Sequence, residues 1–482
     1  MPEHSQNEDN MNSRVSEKRV AIIGGGMTGL SCALELAKRS DCKITIFEKD
    51  DVLGGLSSAY CWEDVCWDRF YHVVLSTDGP LQEFLADVGV ADELFWRETK
   101  TGFFGDGKLV SFSSTWDFIK FPFLSPWSKF RLGLGILRSS KISDPEKLDK
   151  IFVRQWLTTM FGRRLYESLW EPLLRSKLGA ARERTSAAFI WATINRLFGA
   201  RESGAQKEKM GHVHGGYRTI LAAAEKTLKA QGVEICAGAQ VVEVGLSDTG
   251  KVTLSYQQSG ATVEAVYDEV VFTTPCPTIL TMLRKDIEKN IEPNVEKDIE
   301  QAPEEYWDNL SAVEYLSIAC VFLVLKKPLS PYYVTNLLDK RLPFTGVIEA
   351  TNIVRPEDVG GKHIVYLPKY MPAEDPVQGW SDEKILEEFV GGLKYMYPNL
   401  TEEDILHRRV FRERYVQPLQ EVNYLQRLGG FQSPIPHVYV VNTSMIYNST
   451  LNNNAAVNLG RECAGEIAKS LQPATATSLT AR

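Results

Sequence analysis

The stretch from Val20 to Gly29 constrains this chain more than any other. Val20-Ala21-Ile22-Ile23 is short, apolar and β-branched, and reads as a buried parallel strand. Gly24-x-Gly26-x-x-Gly29 follows, and then Leu30, Ala33, Leu34 and Ala37 recur at the spacing of one helix face. Strand, glycine turn and helix in that order make a cradle for a nucleotide. Gly24 permits the tight turn, Gly26 lets a pyrophosphate approach the backbone, and Gly29 lets the helix pack close to the strand. The first helical turn, with Met27 and Thr28, offers N–H groups and the positive end of its dipole to phosphates. A second strand, Lys43 to Phe47, ends at Glu48 and Lys49. A carboxylate at Glu48 accepts hydrogen bonds from ribose hydroxyls and disfavours a 2′-phosphate, hence NADP.

A second glycine pair, Gly54-Gly55, breaks the chain just beyond that strand and is followed by Leu56. A bare backbone turn there can pass close to the same pyrophosphate. Glu-x5-Gly-Gly after Gly-x-Gly-x-x-Gly resembles the FAD-binding signature of the glutathione-reductase-like flavoproteins. Within them it looks most like the superfamily of flavin amine oxidases, protoporphyrinogen oxidases and phytoene desaturases. The resemblance implies an α/β protein in which a glutathione-reductase-like FAD-binding Rossmann domain is interleaved with an α+β substrate domain. It implies FAD as cofactor, held by Gly24, Gly26, Met27, Thr28, Gly29, Glu48, Lys49, Gly54, Gly55 and Leu56. Monoamine oxidases often carry an arginine after the glycine pair; Leu56 stands in its place and argues against a close monoamine oxidase relative.

Weaker resemblances run along the rest of the chain. Asp68-Arg69-Phe70-Tyr71-His72 resembles the start of the substrate-domain excursion, and Tyr71-His72 a histidine-containing loop near the flavin in UDP-galactopyranose mutases. Trp170 to Lys177 resembles a region of protoporphyrinogen oxidases, and Gly215-Gly216-Tyr217 the return from the substrate domain. By the same resemblance Val241 gives adenine a backbone contact, and the strand Asp268 to Pro275, with Thr273, lines the cofactor. Val410 to Tyr415, containing Arg412, resembles the final return to the cofactor domain. The family usually carries Gly-Asp or Gly-Glu after the last strand; this chain has Asn442-Thr443. Asn442 and Asn454 can still bond ribityl hydroxyls, and the helix starting near Ala455 can aim N–H groups at the flavin. Residues 19–75, 208–280 and 405–472 are assigned to the FAD-binding domain, and 76–207 and 281–404 to the substrate domain. The polar ends 1–18 and 473–482 read as a disordered leader and tail.

Composition narrows the function classes. A chain of 482 residues needs more than one core. A net charge of −8 gives no electrostatic case for nucleic-acid binding. No apolar run reaches the roughly 20 residues of a membrane span, and the leader lacks a signal peptide's apolar region. Eight cysteines in this length do not make a disulfide scaffold, and none has metal-ligand spacing, so no metal is expected. Most of these thiols are expected to be reduced and buried, and the protein cytoplasmic. The segment 112–138 has five phenylalanines, two tryptophans and four basic residues. It reads either as a helical lid over an apolar substrate tunnel or as a peripheral membrane contact.

These features, with the resemblance, predict an FAD-dependent oxidoreductase. The substrate is a small, largely apolar or lipid-linked molecule that gives up a hydride from a C–H bond to flavin N5. Tyr71, His72 and Arg412 are catalytic candidates by position alone. No second Gly-x-Gly-x-x-Gly follows a strand, so the electron acceptor is left as O2, a quinone or another protein. Two other readings stay open. One is a non-redox flavin isomerase resembling UDP-galactopyranose mutase and acting on a nucleotide sugar. The other is a lipid-shielding chaperone resembling Rab GDP-dissociation inhibitors, against which the intact glycine motifs argue.

Overall fold

The computed structural model describes residues 17–199, 209–283, 303–447 and 449–471. Nearly all of the expected leader and the whole of the expected tail lie outside them. Five parallel strands form one sheet, in the order Val438–Val440, Glu269–Phe272, Arg19–Ile23, Lys43–Phe47, Glu234–Cys236. A parallel sheet needs cover on both faces, and alternation along the strands supplies two apolar surfaces. Val20, Ile22, Ile44 and Ile46 pack under the helices Met27–Arg39, Tyr217–Ala230 and Asn453–Ser470. Ala21, Ile23, Val270 and Phe272 face an antiparallel three-stranded sheet, Gln240–Leu246, Val252–Gln258 and Ala261–Tyr267.

The first and last helices are in direct backbone proximity. Ser31 Oγ donates to Val457 O at 2.8 Å, and a Cβ on Gly460 would lie 2.4 Å from Thr28 O. Gly460→Ala is therefore expected to push these helices apart and to cost about 2 kcal/mol, as overpacking typically does. A urea melt measures it; an unchanged midpoint would remove Gly460 from this role.

The second sheet has seven strands: Ile405–Pro418, Tyr315–Leu325, His363–Met371, Gly346–Glu349, Val334–Leu337, Thr101–Gly105 and Lys108–Ser111. The parallel pair within it is Val334–Leu337 beside Thr101–Gly105. Ile405–Pro418, assigned from sequence to the FAD-binding domain, pairs antiparallel with Tyr315–Leu325, a strand assigned from sequence to the substrate domain. One face of the sheet, with Ala319, Val321 and Leu323, packs on the helix Asp382–Met396. The other, with Ile318, Cys320, Phe322, Val324 and Tyr366, packs on Trp67 and Phe70 of the segment that follows the second glycine pair.

A helical layer adds a further core. Leu132, Trp156, Phe161, Leu174 and Phe189 form its core, from the helices Pro126–Ser139, Val153–Phe161, Glu171–Leu178 and Ala187–Gly199. The segment 112–138 thus buries one face over this apolar cluster. No helix among the described residues is long and apolar enough to cross a membrane. Cys61 and Cys66 are the exceptions to the expectation that most of the thiols are reduced. They stand opposite each other in the hairpin Ala59–Trp62/Val65–Asp68 and form a disulfide, whereas the other six cysteines are free.

Candidate active site

The glycine turns meet at the carboxyl ends of the parallel strands. Gly24 has a left-handed φ of 113°, and its N–H donates to Phe47 O at 2.8 Å. A Cβ on Gly29 would sit 2.0 Å from Gly24 O, so close helix–strand approach excludes any side chain there. Around Gly26 the space is open. Gly26 is also the N-cap of the helix Met27–Arg39, which has neither a side-chain cap nor an acidic residue in its first turn. The second glycine pair lies against the first. Gly54 N donates to Gly25 O at 2.8 Å, and a Cβ on Gly55 would be 3.6 Å from Gly26 Cα. Both clusters therefore form one bare backbone surface in front of an uncapped helix, a cradle suited to phosphates.

Glu48 braces this surface. Its Oε2 accepts from Gly25 N at 2.9 Å and its Oε1 from Asp50 N at 3.0 Å. Each oxygen keeps acceptor capacity for a ribose hydroxyl. Lys49 turns outward to an exposed pair with Asp50 at 2.8 Å. Val241 is buried in its strand, where the register shifts before Glu243. Thr273 Oγ1 lies 3.0 Å from both Ile23 O and Gly24 O and ties the turn to its neighbouring strand.

The carboxy-terminal residues are arranged differently from the simplest expectation. Asn442 Nδ2 donates to Thr274 O at 2.9 Å, and its Oδ1 accepts from Ser444 N at 2.9 Å and Ser444 Oγ at 2.7 Å. The buried amide is thus committed to the fold. Asn454 Oδ1 accepts from Leu81 N at 3.0 Å. Ala455 N–H is taken by the Asn452 cap at 2.9 Å. Asn453, in the same polar loop, accepts from Ser57 Oγ at 3.2 Å and leaves its Nδ2 buried without a partner. Arg69 donates from Nη2 to Gly55 O at 2.9 Å and likewise has a buried, unpartnered Nε. Thr274 Oγ1, beside Gly24, is a third such atom. Buried polar atoms are seldom left unpaired, and these three adjoin the glycine surface. Together with the open space at Gly26, they fit a bound dinucleotide.

Two phenols meet in the apolar cluster that also holds Leu56. Tyr71 and Tyr370 hydroxyls are 3.0 Å apart. Two hydroxyls sharing one hydrogen bond leave one O–H to donate elsewhere. Burial, then the neighbouring Tyr370, pushes the Tyr71 pKa well up. His72 Nε2 lies 3.3 Å from Leu56 O and must be the donor, because a carbonyl only accepts. Burial pushes the His72 pKa down to about 4, so the imidazole is neutral at physiological pH. Arg412 is not brought to this group. It pairs with Asp382 at 2.7 Å and bonds Trp380 O, on the face opposite to Phe411, which packs beside Tyr60 and Phe322. Asp68 is fully buried. Its Oδ1 accepts from Tyr217 N at 2.9 Å, its Oδ2 has no partner, and burial raises its pKa to about 8.

A family model described as flavin-containing amine oxidoreductase matches residues 27–468. The chain belongs to this family. FAD is its cofactor, and the protein is an FAD-dependent oxidoreductase. When bound, FAD supplies a two-electron acceptor at N5. Coproporphyrinogen III oxidase of Staphylococcus aureus is 24% identical over 301 residues, 56% of this chain and 63% of that one. 15-cis-phytoene desaturase of Synechococcus elongatus is 25% identical over 197 residues, 37% of this chain and 41% of that one. The chain thus spans less than two thirds of these curated relatives. Two solved structures share the fold over almost the whole chain. A reduced UDP-galactopyranose mutase has a TM-score of 0.69 at 16% identity and covers 95% of this chain and 96% of its own. Cyclohexylamine oxidase from Brevibacterium oxydans has a TM-score of 0.67 at 12% identity and covers 95% and 100%.

Proposed function

We propose that this amine-oxidoreductase-family protein dehydrogenates a largely apolar small molecule, with a substrate C–H giving its hydride to FAD. The observation that supports this reading best is the uncharged character of the Tyr71–His72–Tyr370 group. His72 is neutral and its Nε2–H is spent on the main chain, while the two phenols have pKa values raised by burial. Such groups orient a substrate and exclude water; they do not abstract a proton as a strong base would. The substrate loses a hydride from carbon and then a proton to solvent, leaving a new double bond. O2, a quinone or a second protein takes the electrons onward. The Tyr71–Tyr370 pair, with one hydroxyl hydrogen to spare, positions a polar group of the substrate.

Anaerobic mixing tests the reaction class. Loss of the visible flavin band on adding coproporphyrinogen III, protoporphyrinogen or phytoene is the expected result. If none bleaches the flavin and UDP-galactopyranose turns over only after dithionite reduction, the isomerase reading replaces this one. The mutase-like fold and the His72 loop are what favour that second reading.

The neutral His72 makes a separate prediction. With its pKa near 4, kcat/KM shows no histidine limb between about pH 5.5 and 7.5. An inflection near pH 6.5 that disappears in His72→Gln would show the imidazole titrating in its ordinary range.

A further inference from the structure

The helix Pro126–Ser139 carries two apolar faces. Ser128, Leu132, Gly135 and Ser139 are buried, and a Cβ on Gly135 would fall 2.3 Å from the Phe161 ring, so the inner face is packed tight. On the opposite side Trp127, Phe130, Leu134 and Leu137 recur at i, i+3, i+7 and i+10, and all are exposed. Trp127 is 64% and Phe130 60% exposed, with their rings stacked at 5.6 Å. The preceding helix, Thr115–Lys120, adds Trp116 at 70% and Ile119 at 53% exposure. Lys129 Nζ donates to Ile119 O and ties the two helices together.

Single exposed apolar residues are ordinary; concentration is not. Of the twelve large hydrophobic residues exposed among the described residues, six fall within residues 116–137. The charge around them is reversed from the rest of the chain. Residues 108–141 hold six basic side chains and one acid in a protein of net charge −8. The acid, Asp117, is occupied by Ser111 Oγ at 2.7 Å and by the backbone of Ser113 and Ser114. By helical position Lys129 flanks the outward stripe on one side, and Arg131 and Arg138 on the other. Apolar aromatic residues bordered by cations match the headgroup layer of an anionic bilayer, aromatics at headgroup depth and cations on phosphate. A second copy of the chain would instead bring two basic rims together.

We propose that the helices Thr115–Lys120 and Pro126–Ser139 dock this protein on an anionic lipid bilayer without crossing it. The docking face is independent of which C–H bond is oxidised. The test uses the full chain loaded with FAD and sedimented with phosphatidylcholine vesicles, either alone or with about a third phosphatidylglycerol. Sedimentation with the mixed vesicles, weak with phosphatidylcholine alone and falling as salt rises, is the expected result. Trp127→Glu with Phe130→Glu reduces the bound fraction at least about tenfold. Removing Lys120 and Arg138 as serines weakens binding about fivefold per cation. The flavin spectrum and Tm of each variant stay at wild-type values, since the substituted side chains are exposed. Three results overturn the proposal: wild-type protein staying in the supernatant with both vesicle types, the Trp127/Phe130 variant sedimenting like wild type, or a dimer in analytical ultracentrifugation that this variant abolishes, which assigns the face to a second copy.

Discussion

Gly29→Ala yields protein that purifies without flavin. The added Cβ would stand 2.0 Å from Gly24 O and 3.2 Å from Thr273 Oγ1. Gly24 is held by its own bond to Phe47 and by Thr273, so the turn has nowhere to move. The helix Met27–Arg39 must back away instead and carry its free N–H groups out of reach of the phosphates. Overpacking of this kind costs about 3 kcal/mol. The ratio of visible to protein absorbance after gel filtration reports the flavin, and a denaturant melt reports the stability. Gly26→Ala provides the contrast. Nothing lies within 4 Å of that Cβ, so the apoprotein keeps its melt. The methyl occupies the approach to the backbone, and FAD affinity falls at least about tenfold, the value of one charge-assisted hydrogen bond. Wild-type affinity in Gly26→Ala would remove the cradle from this surface.

Asp68 carries the second large effect, on stability against pH. Its carboxyl titrates near pH 8 when folded and near 3.8 when unfolded, because burial penalises the anion more than the Tyr217 N–H stabilises it. Between those values the folded state holds a proton that the unfolded state has released. Stability therefore falls as pH rises from about 4 to 8, by up to about 1.4 kcal/mol per unit. His72 has the opposite sign: folded near 4 and unfolded near 6.5, it adds stability as pH rises through that interval. The two partly cancel below pH 6.5; Glu349, raised by burial to about 7, and His437, raised by Glu269, slope the same way as Asp68, so the Asp68 share is read from the Asp68→Asn comparison. Asp68→Asn keeps an acceptor for Tyr217 N and cannot ionise. Urea midpoints of wild type and variant should diverge across this window, with the variant flatter. Parallel curves would mean that the carboxyl is already ionised in the fold.

The cofactor cradle was legible because it is local. Strand, glycines, helix, strand and Glu48 follow one another within 30 residues, and each has a recognisable residue type. The rest depends on pairings that leave little trace in one sequence. Tyr71 meets Tyr370 across 299 residues, and nothing around Tyr370 marks it as a partner. Ile405–Pro418 has Tyr315–Leu325 as its neighbour, a pairing known only from the sheet register. Arg412 lies away from the Tyr71–Tyr370 group for a period-two reason. Phe411 points toward Tyr60 and Phe322, so the next side chain points away. Asn442 is a true departure from the family pattern, legible as such. Its role is not, because an amide serves equally as a ligand or as a cap. Asn453 and Arg69 show themselves only as buried atoms short of a partner.

The parallel sheet is assembled from residues 19–47, 234–272 and 438–440, and its first helix is clasped by Asn453–Ser470. During synthesis the glycine turns emerge long before the strand and helix that complete their sheet. Val438–Val440, an edge of the sheet, and Gly460, against Thr28, arrive more than 400 residues after the first strand. Contacts of such sequence separation close slowly. A nascent chain must therefore carry an open cofactor half, with the edge of Glu269–Phe272 uncovered, until Val438–Val440 has been made. Chaperone demand should fall on this interval, and chains halted before residue 438 should be cleared as unfolded protein.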